Sequence, residues 1–369
     1  MHLSISMFAR ILVNAVLSVS SVAALVPQTA GALGQLDLAE IFRVGDGMNS
    51  EILFGFVSDM DVNSTGHVFV AEGMANSIFV FSDSGEFVDV IGSSGSGPGE
   101  FQDISGVYIG PADSVYVLDT DLYRLSVFEP RSHRFVYSAN VPGVGMSDPA
   151  HLLGLVDGGF LIVYRSPMSH DLVEAYDRKA VINLVSRNGS VAEEPVISLP
   201  DWNYVSSRHH TLLIPFGPRF KFILGSDGLV YSGLNDIIDI RITTLGGHLR
   251  GTVQYDLPVV PVTKRDIDEY IEGMSREARR LILTSVLPEN MPAYKAFTVD
   301  DRNRVWIQRL GDGGMPTGEW LILNKESDLV ATITLPESEN LFAIREGKVY
   351  GTGKDVSGAT YVITYRIDE

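Results

Sequence analysis

Six short β-forming runs recur along this chain, and their repetition limits the available folds more than any other feature. They are VFV at Val68–Val70, VYV at Val115–Val117, LIV at Leu161–Val163, VYS at Val230–Ser232, VWI at Val305–Ile307 and VYG at Val349–Gly351. Five of them carry an aromatic residue at the centre. β-Branched and aromatic side chains suit a pleated, packed surface. Successive runs begin 47, 46, 69, 75 and 44 residues apart. Short strands returning at that period are the signature of radially repeated sheets, and the two long intervals require insertions.

Turn chemistry supports the same register. Gly66, Asp113, Gly158, Gly228, Asn303 and Gly347 stand just before the six runs, and each residue type starts a turn or tolerates positive φ. A third strand follows in every unit: Ile78–Phe81, Leu125–Phe128, Val181–Leu184, Ile238–Ile240, Trp320–Leu323 and Tyr361–Tyr365. The last unit ends with the chain, at Glu369, and lacks an outer strand. An orphan strand, Glu40–Val44, is available at the other end. Pairing the two would close a ring and hide two sheet edges. The expected fold is an all-β, six-bladed β-propeller over residues 33–369, with its N-terminal strand completing the last blade.

A helical insertion is expected near 263–288, between the fourth and fifth units. Thr263 and Asp266 have capping-box spacing. Ile267, Tyr270, Ile271, Met274, Ala278, Leu281 and Ile282 recur every three or four residues as a single apolar stripe, and Pro288 stops it. Antiparallel order within a blade puts this insertion on the face that also receives loops Gly92–Gln102, Pro142–His151, Arg165–Lys179, Pro200–Arg219 and Arg309–Glu319. The opposite face is expected to hold only short turns. Loops on a rigid scaffold are where binding residues concentrate. Plugging the channel mouth is an equally open role for them.

The stretch Gly92–Phe101 reads GSSGSGPGEF and is followed by VYVLD at Val115–Asp119. It resembles the join between blades of NHL-type six-bladed propellers, in which the aspartate at the place of Asp119 is usually structural. Segments Pro215–Arg219 and Leu287–Trp306 resemble exported, largely uncharacterised bacterial propellers. The resemblance implies fold far more than chemistry. Lactonase-like and lyase propellers hold a divalent ion in their channel, which makes a metal-dependent hydrolase or lyase at the channel mouth the alternative to a non-enzymatic scaffold.

Met1–Arg10 carries one basic residue, Ile11–Val26 is apolar, and Ala30–Ala32 is an A-x-A-like cleavage site. This is the pattern of a secretory signal over residues 1–32, so the mature chain is expected to be exported, without membrane insertion. The chain has no cysteine and a formal charge of −18, which argues against nucleic-acid partners. A monomer is expected.

Site candidates come from the rim and the longest loop. The position after the second strand carries Glu72, Asp119, Arg165 and Arg309 in four units, a set that suits an anionic ligand or, equally, mutual salt bridges and turn caps. The segment 200–221 collects Trp202, Tyr204, His209, His210 and Arg219, a mixture that suits a sugar or organic anion. No cofactor or metal is expected. His209 and His210 point to opposite sides if extended. The run Asp59–Asn63 imitates a calcium loop, but Gly66 falls at the eighth place instead of the sixth, and its alternation reads better as an inner strand. The expected partner is a protein, peptide, glycan or small anion on the loop-rich face.

Overall fold

A computed structural model describes residues 34–47, 52–167, 178–207, 209–311 and 314–368. The expected signal segment, most of the loop between Arg165 and Lys179, and Arg208 lie outside the described residues.

Six sheets, each built on four antiparallel strands, follow one another, and one of them gains a short fifth strand at its edge. Blade 1 comprises Val57–Val62, Val68–Glu72, Ser77–Phe81 and Phe87–Ile91. Blade 2 comprises Ile104–Ile109, Val115–Asp119, Arg124–Phe128 and Phe135–Asn140. Blade 3 comprises Asp148–Val156, Gly159–Arg165, Lys179–Ser186 and Ile197–Pro200. Blade 4 comprises Phe220–Leu224, Val230–Leu234, Ile238–Thr243 and Leu249–Tyr255. Blade 5 comprises Tyr294–Val299, Val305–Leu310, Pro316–Leu323 and Leu329–Thr334. Blade 6 takes Asn340–Arg345, Lys348–Lys354 and Thr360–Asp368 from the end of the chain and Asp37–Val44 from its beginning.

Because each sheet is covered on both faces, its strands are apolar on both sides, and the buried side chains sort into one core per blade-to-blade interface. Phe69 and Val107 belong to the core between blades 1 and 2. Tyr116 and Leu152 share the next, Leu161 and Val230 the third, Tyr231 and Phe297 the fourth, Trp306 and Ile344 the fifth. Tyr350, Phe42 and Val57 fill the sixth, between blade 6 and blade 1. Six interfaces for six sheets is a closed ring.

Blade 3 departs from the expected alignment. The central aromatics Phe69, Tyr116, Tyr231, Trp306 and Tyr350 all face the following blade, but Ile162 faces the preceding one, and Leu161 and Val163 face forward. The third run is therefore one residue out of phase, and a one-residue slip flips every side chain to the other face. Its aromatics, Phe160 and Tyr164, pack backward.

The first strand is stitched to two blades. Asp37–Val44 pairs antiparallel with Thr360–Asp368, and Gly34–Gln35 runs parallel to blade 5's outer strand through Gly34 opposite Ala331. Phe42 lies against the Gly85 hairpin of blade 1, where a Cβ would come within 2.5 Å of its ring.

The insertion after blade 4 differs from the single helix expected. It forms α1 (Lys264–Tyr270) and α2 (Arg276–Leu283). Gly273 between them has φ +75°, a conformation glycine adopts at little cost, and Ser275 accepts from the Ala278 N–H at 3.1 Å to start a second helix. Thr263 and Asp266 form the expected capping box. The opposite face is not uniformly short-turned either, since Arg187–Val196 in blade 3 spans ten residues between strands.

Candidate functional site

The inner strands of all six blades surround a central channel of about 640 Å³. Each inner strand begins at the loop-rich face, so residues early in these strands collect at that mouth. They include Asp59 of blade 1, His151 of blade 3, Lys221 of blade 4, Lys295 of blade 5 and Asn340 of blade 6. Inner-strand polar side chains have a physical reason to be there, because the channel is where the first strand of a blade meets water instead of another sheet.

Asp59 and His151 meet across Gly106. A Cβ at that glycine would lie 3.1 Å from Asp59 Oδ2 and 3.4 Å from His151 Nδ1, so only glycine leaves both groups their present room. Asp59 accepts from the Met60 N–H at 2.9 Å and, across the blade boundary, from the Val107 N–H at 3.0 Å. Burial pushes its carboxyl up to about 7, against those two amides; Asp61 adds to the rise and Lys221 opposes it. Burial lowers His151 to about 4, with the Ser105 carbonyl opposing and Arg165 and Lys221 reinforcing the fall. Burial also lowers Lys221 to about 8, with Asp59 opposing and Lys295 reinforcing. Lys295, itself lowered by burial, donates from Nζ to Asn340 Oδ1 at 2.8 Å. Further along the channel Asp61 accepts from the Ile109 N–H at 2.7 Å and pairs with Arg345 at 3.2 Å.

Segment 201–219 lies beside this mouth. Asp201 is buried and draws in two arginines, Arg165 at 3.6 Å and Arg178 at 3.3 Å. Their guanidinium groups stack on aromatics of this segment: Arg165 lies 4.5 Å from the Trp202 ring and Arg178 4.8 Å from Tyr204. Arg219, two residues before Lys221, lies 5.9 Å from the same Trp202 ring. Cation–π contact of this kind holds a guanidinium without neutralising it. Tyr204–Ser206 and Thr211–Leu213 then form a small hairpin that rests on the helical insertion. Ser207 Oγ donates to Glu277 at 2.8 Å, and Phe216 meets Tyr270 edge-on at 5.8 Å. The tryptophan-bearing segment and the helices thus occupy one face.

The fold is a six-bladed β-propeller. Residues 48–164, which reach from blade 1 into blade 3, match the family model DUF5128, described as a 6-bladed beta-propeller. A candidate exported protein from Bacteroides fragilis is similar in structure, with TM-score 0.54 and 14% identity over 92% of this chain and 97% of that one. A DUF4221 family member from Bacteroides vulgatus gives TM-score 0.54 and 11% identity over 91% and 99%. A gluconolactonase from Xanthomonas campestris gives TM-score 0.47 and 10% identity over 91% of each chain. At such identities the likeness shows fold alone. No protein with a curated description matches the sequence.

Of the nine residues proposed from sequence, the structure gathers four: Arg165, Trp202, Tyr204 and Arg219. The other five serve elsewhere. Glu72 is buried and accepts from the N–H groups of Gly55 at 2.9 Å, Phe56 at 2.7 Å and Ala75. Asp119 does the same for Gln102 at 2.7 Å and Leu122 at 2.8 Å. Both carboxylates are turn staples, so they leave the ligand set. Arg309 pairs with Glu319 across its own hairpin at 2.5 Å. His210 lies 3.2 Å from Ser275 Oγ and 3.9 Å from Glu277, a latch between hairpin and α2. His209 is exposed near the hairpin tip. The channel residues Asp59, His151, Lys221, Lys295 and Asn340 were missed. The signal for two of them was present, as a lone lysine inside the apolar runs FKFIL and YKAFTV.

Proposed function

We propose that this protein is a binding scaffold that takes a small anionic ligand at the loop-side mouth of its central channel. One observation carries the reading: two adjacent inner strands each present a lysine there, Lys221 and Lys295, and Arg219 stands just outside on the Trp202 ring. On a chain of formal charge −18, a local excess of positive side chains at a cavity mouth focuses anions that the rest of the surface repels. Asn340 and the neutral His151 supply uncharged polar contacts beside them. The loop-rich face around this mouth is also the surface on which a protein, peptide or glycan partner would sit. An exported location fits the N-terminal pattern. A metal-dependent hydrolase gains no support from the geometry, because Asp59 and Asp61 spend oxygens on backbone amides and Asp61 also pairs with Arg345.

Calorimetry with citrate, succinate, glycolate and phosphate, alongside their neutral amide or ester analogues where these exist, tests the reading. An anion should bind and its neutral analogue should not. Lys295→Gln should weaken that anion roughly 10-fold, the size of one charge-assisted hydrogen bond, without moving the melting temperature. Preference for the neutral compounds would overturn the reading.

A further inference from the structure

Lys221 is placed for more than charge. It lines the channel together with Asp59 and His151, and among the described residues it forms no ion pair. Asp59, the carboxylate that acts on it, already has both oxygens engaged by the Met60 and Val107 amides. The side chain sits in the sequence Phe220-Lys221-Phe222 on the channel wall, and the neighbouring positive charge comes from Lys295 on the inner strand of the next blade. An amine that is desolvated and close to a second cation loses its proton readily and becomes a nucleophile.

We infer that the Lys221 amine captures a carbonyl-bearing anion, of the 2-oxo acid class, as a reversible imine in the channel mouth. This rests on the anion-binding reading above, which supplies the carboxylate contact. Lys295, steadied by Asn340 at 2.8 Å, takes the carboxylate and leaves the adjacent carbonyl to Lys221. The Nζ lone pair attacks the carbonyl carbon while the C=O π pair moves to oxygen. A proton passes from nitrogen to that oxygen, giving a neutral carbinolamine. Loss of the hydroxyl with one further proton releases water and leaves a protonated C=N bond, with nothing oxidised or reduced. Asp59 and His151 face the same cavity, and Asp59, raised to about 7 by burial, is the group that can give or take these protons near neutral pH.

Glyoxylate, the smallest 2-oxo acid, is the probe, with sodium cyanoborohydride to deliver hydride to the imine carbon and fix it as a secondary amine. Peptide mass mapping of the folded full chain reads the adduct, and the six other lysines act as internal controls. Lys221 should be labelled at least 10-fold faster than any of them, glycolate should slow it in competition, and Lys295→Gln should slow it about 10-fold. Lys221→Arg, checked for an unchanged melting temperature, should leave the other six sites as they were. Even labelling of all lysines, or none at Lys221, would overturn the imine. Glycolate binding by calorimetry separates the two ideas. Bound glycolate with an inert Lys221 leaves the anion reading standing and sinks the imine. Labelled Lys221 without glycolate binding does the reverse.

Discussion

Phe42 is the sharpest place to test whether the chain's first strand holds the ring shut. Its side chain is 7% exposed and belongs to the core shared by blades 6 and 1, with Phe54, Val57, Phe81 and Tyr350. Phe42→Ala removes a whole ring from that core and leaves the Gly85 hairpin facing a void. Substitutions of this type cost about 3–5 kcal/mol, the transfer term plus the cavity. Unfolding entropy of ~2.1 cal/mol/K per residue over the roughly 340 residues of the ring is about 0.7 kcal/mol/K, so melting should fall by about 4–7 °C. Met146→Ala is the control, since that side chain is 82% exposed and should shift melting by less than about 1 °C. Differential scanning calorimetry of both variants, and of a chain lacking residues 33–46, gives the answer. The deletion exposes the edge of Thr360–Asp368 and should lower melting well beyond the point substitution. A deletion variant that melts with the parent, or a Phe42→Ala shift no larger than the control's, would refute the idea that the ring is closed by this strand.

Three other outcomes follow from named contacts. Glu72→Gln replaces an acceptor that serves three backbone amides with a group that is half donor, so it should cost about 1–3 kcal/mol while leaving anion affinity unchanged; a loss of affinity without a loss of stability would return Glu72 to the ligand set. Arg219→Ala should weaken anion binding several-fold, and more so at low ionic strength, with melting within about 1 °C of the parent; equal affinity at low salt would remove it from the mouth. Asp59, raised to about 7, contributes stability that declines as pH climbs from about 4 to 7, whereas His151, lowered to about 4, contributes stability that grows between about 4 and 6.5. The two slopes oppose each other, so Asp59→Asn should melt with a steeper rise between pH 4 and 6.5 than the parent, and parallel curves would contradict the linkage.

Much of the architecture was legible because a blade is a local object. Its strands are neighbours in sequence, its turns are made by residues with fixed backbone preferences, and its central aromatic announces a face buried against the next blade. The phase of blade 3 was hidden for a related reason: Phe160, Leu161, Ile162, Val163 and Tyr164 are all apolar and all buried, and a strand covered on both faces has no alternation to read. The break in the helical insertion escaped because the apolar spacing continues through Gly273 and Ser275, while the chain's direction does not.

The candidate site was legible only where its residues lie close in sequence. Trp202, Tyr204 and Arg219 could be proposed together because one loop carries them; Asp59, His151, Lys221 and Lys295 could not, because a ring brings residues as distant in sequence as 59 and 221 together only at its axis. Each of them is an ordinary polar residue in an ordinary strand until the ring closes. Closure then gives these positions a shared environment that no stretch of sequence contains: a half-enclosed channel walled by six inner strands, with unlike charges from separate blades acting on one another. The raised Asp59 and the lowered Lys221 are consequences of that geometry and not of their local sequence. In a propeller, therefore, the strand that seals the ring and the chemistry at its axis are one problem. Loosening Phe42 should disturb the channel groups on the far side of the ring as well as the core it fills.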